Sequence, residues 1–296
     1  MKLPIRKFVV IEAPSILGLK PTGVENLPKS LKEAGFLKKL YVEKTHLVES
    51  FQYNPKRDNA THVLNPQEIR SYSLFLAKAV SATLQGNQFP IVLGGDCSIV
   101  IGNVLALRRL GRYGLFFIDG HADFYQPEAS TTGQVADMDL AIVSGRGPDI
   151  LTDIDGLKPL IPDNDIVLFG YRDASEAASY GSQDVRDSNI NTFDLPQIRN
   201  LGVTNATLAA LDKLSNELSG FWIHLDVDVL DDSIMPAVDY RMKGGLNFTE
   251  LGEILKILLK SGRAVGMDIT IFNPALDKDG IIAQKLVSSL IDGLIS

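Results

Sequence analysis

The sequence is short of several things, and each shortage excludes something. It has one cysteine, Cys97, in 296 residues, which rules out an internal disulfide framework and fits a reducing compartment. Basic charge is not in excess: 29 Lys and Arg stand against 36 Asp and Glu, for a net charge of −7. With no basic block either, the electrostatic footprint of a nucleic-acid binder is missing. Long apolar runs are absent. The stretch MKLPIRKFVVIEAPSILGLK is interrupted by Glu12 and Pro14, and reads neither as a secretory signal nor as a membrane span. There is no low-complexity linker, internal repeat or charge run. What remains is ordinary for a globular chain, 45% hydrophobic and 22% charged, with ample material for a buried core. The expectation is one α/β domain over residues 1–296, soluble and cytoplasmic, with no nucleic-acid or membrane partner.

Apolar, β-branched runs alternate with stretches of helical period. KFVVIEA (7–13), PIVLGG (90–95), YGLFFID (113–119), DIVLFGY (165–171), GFWIHLDVDV (220–229) and AVGMDITI (264–271) read as buried strands. Helical patterns cover roughly 66–86, 99–110, 204–218 and 249–260, with a last one near 278–294. Thr249, ahead of Glu250 and Leu251, looks like one helix start, and Asn205 like another. Such alternation predicts a mostly parallel sheet covered by helices on both faces, a three-layer αβα sandwich. The segment 120–165 is irregular and rich in Gly, Asp, Ser and Thr, as functional loops often are.

Ligands in such folds collect beyond the carboxyl ends of the strands, and three polar clusters sit there. Gly94-Gly95-Asp96-Cys97-Ser98 follows PIVL, Asp119-Gly120-His121-Ala122-Asp123 follows LFFI, and His224, Asp226 and Asp228 mark the end of FWIHLDVDVL. Alternation along a strand points Asp226 and Asp228 to one face. Together with Asp119 and Asp123 they bring four carboxylates to one place, which is unfavourable by several kcal/mol unless some stay protonated or a cation intervenes. Four carboxylates and an imidazole suit two divalent ions, Mn²⁺, Zn²⁺ or Fe²⁺, that share and activate a water. His224 shares the strand face of Asp226, a place for a ligand or base, and more simply for a residue that holds its neighbours by hydrogen bonds. Asp96 reads as structural, and Gly94 and Gly95 permit a tight turn and close backbone approach. His46 and His62 have no partner in the sequence and read as loop residues.

GGDCS, DGHAD and HLDVDVLD, in that order and at those separations, resemble the metal motifs of the ureohydrolases, the arginase and agmatinase family. The later GGL (244–246) and MDITIFNP (267–274) also match, so the resemblance runs from about residue 88 to the carboxyl terminus. It implies an arginase-like fold and two metal ions, usually Mn²⁺. By position, one ion would be held by Cys97, Asp119, Asp123 and Asp226. The other would be held by Asp119, His121, Asp226 and Asp228. The implied reaction is hydrolysis of a small linear guanidino or amidino compound with release of urea or a related product, such as from N-hydroxyarginine. Asp123 or Asp228 would orient the nucleophile, with His224 as a further catalytic candidate, and the assembly would be a homo-oligomer, a trimer or hexamer.

Three positions depart from that pattern. Most members carry His where Cys97 stands, and a thiolate there favours Zn²⁺ or Fe²⁺ relative to Mn²⁺. Ala136 stands where arginases carry a proton-transferring histidine. Ile271 stands where arginases and agmatinases have a glutamate facing the guanidinium. Asp137, Asp139 or Asp239 would have to replace that carboxylate, while Arg172, Asp173 and Glu176 are further candidates for the pocket. Two other readings remain: a metal-poor, non-catalytic relative, and a hydrolase of a formimino group or acyl amide.

Overall fold

The structure is a computed structural model and describes residues 7–295. Eight strands form one sheet: β1 (Phe8–Ala13), β2 (Thr45–Leu47), β3 (Phe89–Gly94), β4 (Gly114–Ile118), β5 (Ile166–Phe169), β6 (Asn191–Phe193), β7 (Phe221–Asp226) and β8 (Ala264–Thr270). Their order across the sheet is β2-β1-β3-β8-β7-β4-β5-β6, and every pair is parallel. The six strands expected from apolar runs are all present. β2 and β6, three residues each at the two sheet edges, are too short to carry a period.

Alternation along the strands divides the core between two faces. Ile91, Leu93, Phe116, Ile118, Ile223, Leu225, Met267 and Ile269 pack with the helices Val203–Leu211, Phe248–Lys260 and Ile281–Ile295. On the other face Val92, Leu115, Phe117, Leu168 and Trp222 pack with Pro66–Gln85, Val100–Leu110 and Asp139–Val143. The three-layer α/β sandwich is therefore as expected.

Helix boundaries differ in instructive places. The expected helix over 204–218 is shorter, Val203–Leu211, and an unexpected one, Leu195–Leu201, precedes it across Gly202, whose φ is 78°. Asn205 is no cap: it lies inside the second helix, where its Nδ2 donates to the Leu201 carbonyl. The helix Phe248–Lys260 starts at a capping box made by Asn247 and Glu250 rather than at Thr249. Within 120–165 the chain folds short helices at Asp139–Val143 and Asp149–Thr152. Among the described residues no helix is long and apolar enough to cross a membrane.

Candidate metal centre

The carboxyl ends of the four central strands, β3-β8-β7-β4, build the site. Beyond β3 the chain must pass close to the end of β1. A Cβ on Gly95 would lie 1.8 Å from the Ser15 carbonyl oxygen, so only glycine lets the turn close there. Asp96 ties this turn down by accepting from Ser15 Oγ and the amides of Gly18 and Ser98, the structural role expected of it. Cys97 follows with its thiol fully buried.

From β4, Asp119 accepts the His121 amide at 2.7 Å. Asp123 sits at φ 45°, a left-handed conformation that aspartate tolerates. β7 ends at Asp226, so Asp228 is not on the strand, as alternation suggested, but in the 3-10 turn Val227–Val229. The two carboxylates still converge, because Asp226 Oδ1 caps that turn through the Asp228 amide at 2.7 Å. Asp228 in turn accepts the Gly120 amide at 3.1 Å and stands 2.9 Å from His121 Nδ1.

The donors gather in two overlapping groups. Those of Asp119, His121 and Asp123 lie within 4.8 Å of one another, as do those of Cys97, Asp119 and Asp226. Asp119, Asp123, Asp226 and Asp228 are all at most 5% exposed. At an effective dielectric of about 20, two unit charges about 4 Å apart repel by roughly 4 kcal/mol, so four such carboxylates cannot share this space ionised and uncompensated. Burial, reinforced by neighbouring carboxylates, pushes Asp119, Asp123 and Asp226 upward. Burial and Asp226 raise Cys97, whose Sγ donates to Asp226 Oδ2 at 2.9 Å. Asp228 alone is lowered: burial opposes its ionisation, but the His121 charge, Arg172 and the Gly120 amide outweigh it. Asp119 Oδ2 is buried with no hydrogen-bond partner among the described residues. A carboxylate-rich donor set with an orphaned buried oxygen fits divalent cations, whose charge reverses these upward shifts.

This donor set floors a pocket of about 160 Å³, with His121, Asp123, Asp226 and Asp228 among its lining and Tyr125, Gln134, Ala136, Asp137, Asp173, Glu176, Tyr180, Tyr240 and Ile271 among its walls. Asp137 reaches it with Oδ2 accepting from Ser130 and Thr132 while Oδ1 has no partner. Burial raises its pKa to about 7. Ile271 enters the pocket from the end of β8 at φ 72°, a costly conformation for a β-branched side chain. Its amide donates to the Gly95 carbonyl at 2.9 Å.

Three expected pocket residues lie elsewhere. Arg172 spends its guanidinium on backbone, donating to the carbonyls of Asp228, Val229, Leu230, Met242 and Lys243. Asp239 pairs with Thr22 and with Asn273 Nδ2. His224 is fully buried and absent from the pocket wall, so as a base it does not reach substrate. Its Nδ1 stands 2.5 Å from Asp268 Oδ2, the hydrogen-bonding role expected for it. Asp139, named only as a stand-in carboxylate, is fully buried behind the pocket. Reading the sequence missed Asp268, Thr270, whose Oγ1 lies 3.0 Å from Cys97 Sγ, Tyr125 and Tyr240. The first two were visible only as residues of an apolar strand, and the tyrosines carried no local pattern.

The model of the Arginase family matches residues 6–295. An arginase of Staphylococcus aureus (strain COL) is 32% identical over 288 residues, covering 94% of each chain. The solved arginase of Bacillus caldovelox superposes with a TM-score of 0.90 at 26% identity, covering 99% of both chains. The solved formimidoylglutamase of Bacillus subtilis superposes with a TM-score of 0.74 at 19% identity, covering 98% of this chain and 86% of that one, a likeness of fold. The chain thus belongs to the arginase family.

Proposed function

We propose that the chain is a metal-dependent hydrolase of a small linear guanidino or amidino compound, cleaving a C–N bond with release of urea or a urea-like product. The observation that carries the reading is the convergence of His121, Asp123, Asp226 and Asp228, which line the pocket, with the fully buried Asp119 and Cys97, Asp119 being common to the donor groups Asp119-His121-Asp123 and Cys97-Asp119-Asp226. Those six side chains would hold two divalent ions, Mn²⁺ or, because of the sulfur, Zn²⁺ or Fe²⁺. Bound there, the ions supply Lewis acidity and a water activated as nucleophile.

The chain's own residues do the rest. Asp228, fixed by the Gly120 amide and His121, and Asp123 orient the attacking group and hold its proton. A pocket of about 160 Å³ admits a small, extended substrate and little water. Asp137, on the pocket wall with a free buried oxygen, faces the cationic end of the substrate in place of the carboxylate that Ile271 does not provide. Ile271 itself favours a second reading, in which the substrate is a neutral formimino compound or acyl amide, because an apolar wall does not penalise an uncharged group.

The test is a substrate panel. Protein stripped with a chelator and reloaded with Mn²⁺, Zn²⁺ or Fe²⁺ is assayed for release of urea, ammonia or amine from guanidino, amidino, formimino and amide compounds. Turnover of guanidino or amidino compounds, lost on Asp119→Asn, is expected. No turnover of either class with any of the three metals would sink the reading, and turnover confined to the other two classes would replace it with the second.

A further inference from the structure

Two buried side chains beside Cys97 are left over by this account. His224 and Asp139 are fully buried, yet His224 Nε2 and both carboxylate oxygens of Asp139 have no hydrogen-bond partner among the described residues. The neighbouring Leu140 amide gives the Asp139 carboxylate only partial support against its burial. Three unpaired polar atoms in a packed interior ask for a ligand. The donor atoms of Cys97, Asp139 and His224 lie within 4.8 Å of one another.

His224 is held in one orientation. It stands in register with Phe117 of β4 and Asp268 of β8. Its ring stacks on Phe117 with centroids 4.2 Å apart, and its Nδ1 is 2.5 Å from Asp268 Oδ2. The other oxygen of Asp268 accepts from Trp222 Nε1 at 2.5 Å and from Asn103 Nδ2 at 2.9 Å. Asp268 is thereby fixed as an acceptor, which places the imidazole proton on Nδ1 and leaves the Nε2 lone pair directed at Cys97, Asp139 and the orphaned Asp119 Oδ2, 3.9 Å away. A carboxylate that orients an imidazole and fixes its tautomer is the usual support behind a histidine metal ligand.

We propose that Cys97, Asp139 and His224 form a closed site for a thiophilic divalent cation, Zn²⁺ or Fe²⁺, with His224 Nε2 as its imidazole ligand. Sulfur, nitrogen and one carboxylate make the donor set such ions prefer and Mn²⁺ does not. All three residues are fully buried and none lines the pocket, so the ion does not meet substrate. Cys97 is common to this site and to the carboxylate pair, and the inference rests on the reading that those carboxylates hold cations.

The probe is Co²⁺, titrated into the chelator-stripped full chain. A near-ultraviolet thiolate-to-cobalt charge-transfer band is expected, and Cys97→Ser should abolish it. His224→Gln and Asp139→Asn should each move its titration midpoint to at least tenfold higher Co²⁺ and shift the visible bands. If both variants give the parental circular dichroism, midpoint and bands, the inference is overturned. His224→Gln removes a ring packed on Phe117 and is at risk of misfolding, so a measurement on folded protein stands beside it. X-ray absorption on Zn²⁺-loaded His121→Ala should show sulfur at about 2.3 Å and imidazole nitrogen at about 2.0 Å, and absence of the imidazole signal refutes the proposal. A His224-dependent band without guanidino turnover sinks the proposed function alone. Turnover with a band indifferent to His224 and Asp139 sinks this inference alone, and failure to take up any cation sinks both.

Discussion

Replacing Arg172 by lysine keeps the charge and removes the fork, and so isolates what the guanidinium does. Its Nη2 donates to the carbonyls of Asp228, Leu230 and Met242 at 2.9, 3.2 and 3.1 Å. Nη1 reaches Val229 at 3.4 Å and Nε reaches Lys243 at 3.1 Å. An ammonium offers three donors from one point, so at least two of these five carbonyls lose their partner. Leaving a buried acceptor unpaired costs about 1–3 kcal/mol. Arg172 is half-buried, so water recovers part of that loss, and about 2–4 kcal/mol in total is the expected destabilisation, or roughly 4–8 °C in Tm for a chain of this size. Urea unfolding of the chelator-stripped protein measures it. Because the loop also carries Asp228, Mn²⁺ uptake should weaken in parallel. If Arg172→Lys unfolds within about 0.5 kcal/mol of the parent and instead raises KM alone, the guanidinium belongs to the substrate and the structural assignment is wrong.

Gly95→Ala should yield little folded protein, because the added Cβ would meet the Ser15 carbonyl at 1.8 Å; soluble expression with a parental circular dichroism spectrum would contradict the close approach. Arg146 donates to both oxygens of Asp163 at 2.7 Å, and this pairing, partly opposed by burial, lowers the Asp163 pKa. A depressed carboxyl stabilises above its unfolded pKa of about 3.9 and loses that contribution as pH falls through the folded value. Asp163→Asn should therefore cost about 1–3 kcal/mol at pH 7 and progressively less as pH falls below about 3.9, and a cost that does not change with pH, by urea unfolding, would show that the ion pair contributes nothing. Asp137→Asn should raise KM for cationic guanidino substrates at least about tenfold, the equivalent of about 1.4 kcal/mol, and leave neutral amidines unaffected; equal effects on both would show that Asp137 does not face the charge. Ile271→Glu should lower KM for the same cationic substrates, and no change would place residue 271 away from the bound cation.

The strands and the convergence of donors were legible in the sequence for one physical reason. A parallel sheet covered on both faces needs near-continuous apolar strands, so a polar residue at a strand tip stands out. Asp119 after LFFI and Asp226 at the end of FWIHLD are conspicuous in that way. Reading was weaker wherever a residue's partner is distant in sequence. Arg172 looks like a pocket residue because GYRD matches a family stretch near the pocket; Asp173 does line it, but the carbonyl partners of Arg172 lie 56–71 residues away. Asp139 and His224 were read as polar residues near a site, and nothing local shows that their free atoms face the same thiol. Asp268 sat unnoticed within MDITI, although Trp222, His224 and Asn103 all depend on it. The helix Leu195–Leu201 escaped because seven residues make two turns, too few to carry a helical period.

The same carboxylates that make the centre attractive to cations make it unfavourable without them, and the chain manages this with protons. Cys97 keeps its proton and donates it to Asp226, while His121, despite a burial that disfavours charge, is held protonated chiefly by Asp228. Asp123 and Asp226 are driven toward their neutral forms by burial and by each other's neighbours. Each proton occupies a place that a ligand must vacate before a cation binds, so cation uptake and proton release are one event. Four ionised carboxylates balance two divalent ions. A thiolate at Cys97 adds one further negative charge, which a neutral imidazole at that position would not. A further cation near the sulfur would offset that charge. The orphaned donors of His224 and Asp139 lie within 4.8 Å of the Cys97 sulfur, so an ion bound by all three would offset that charge at its source.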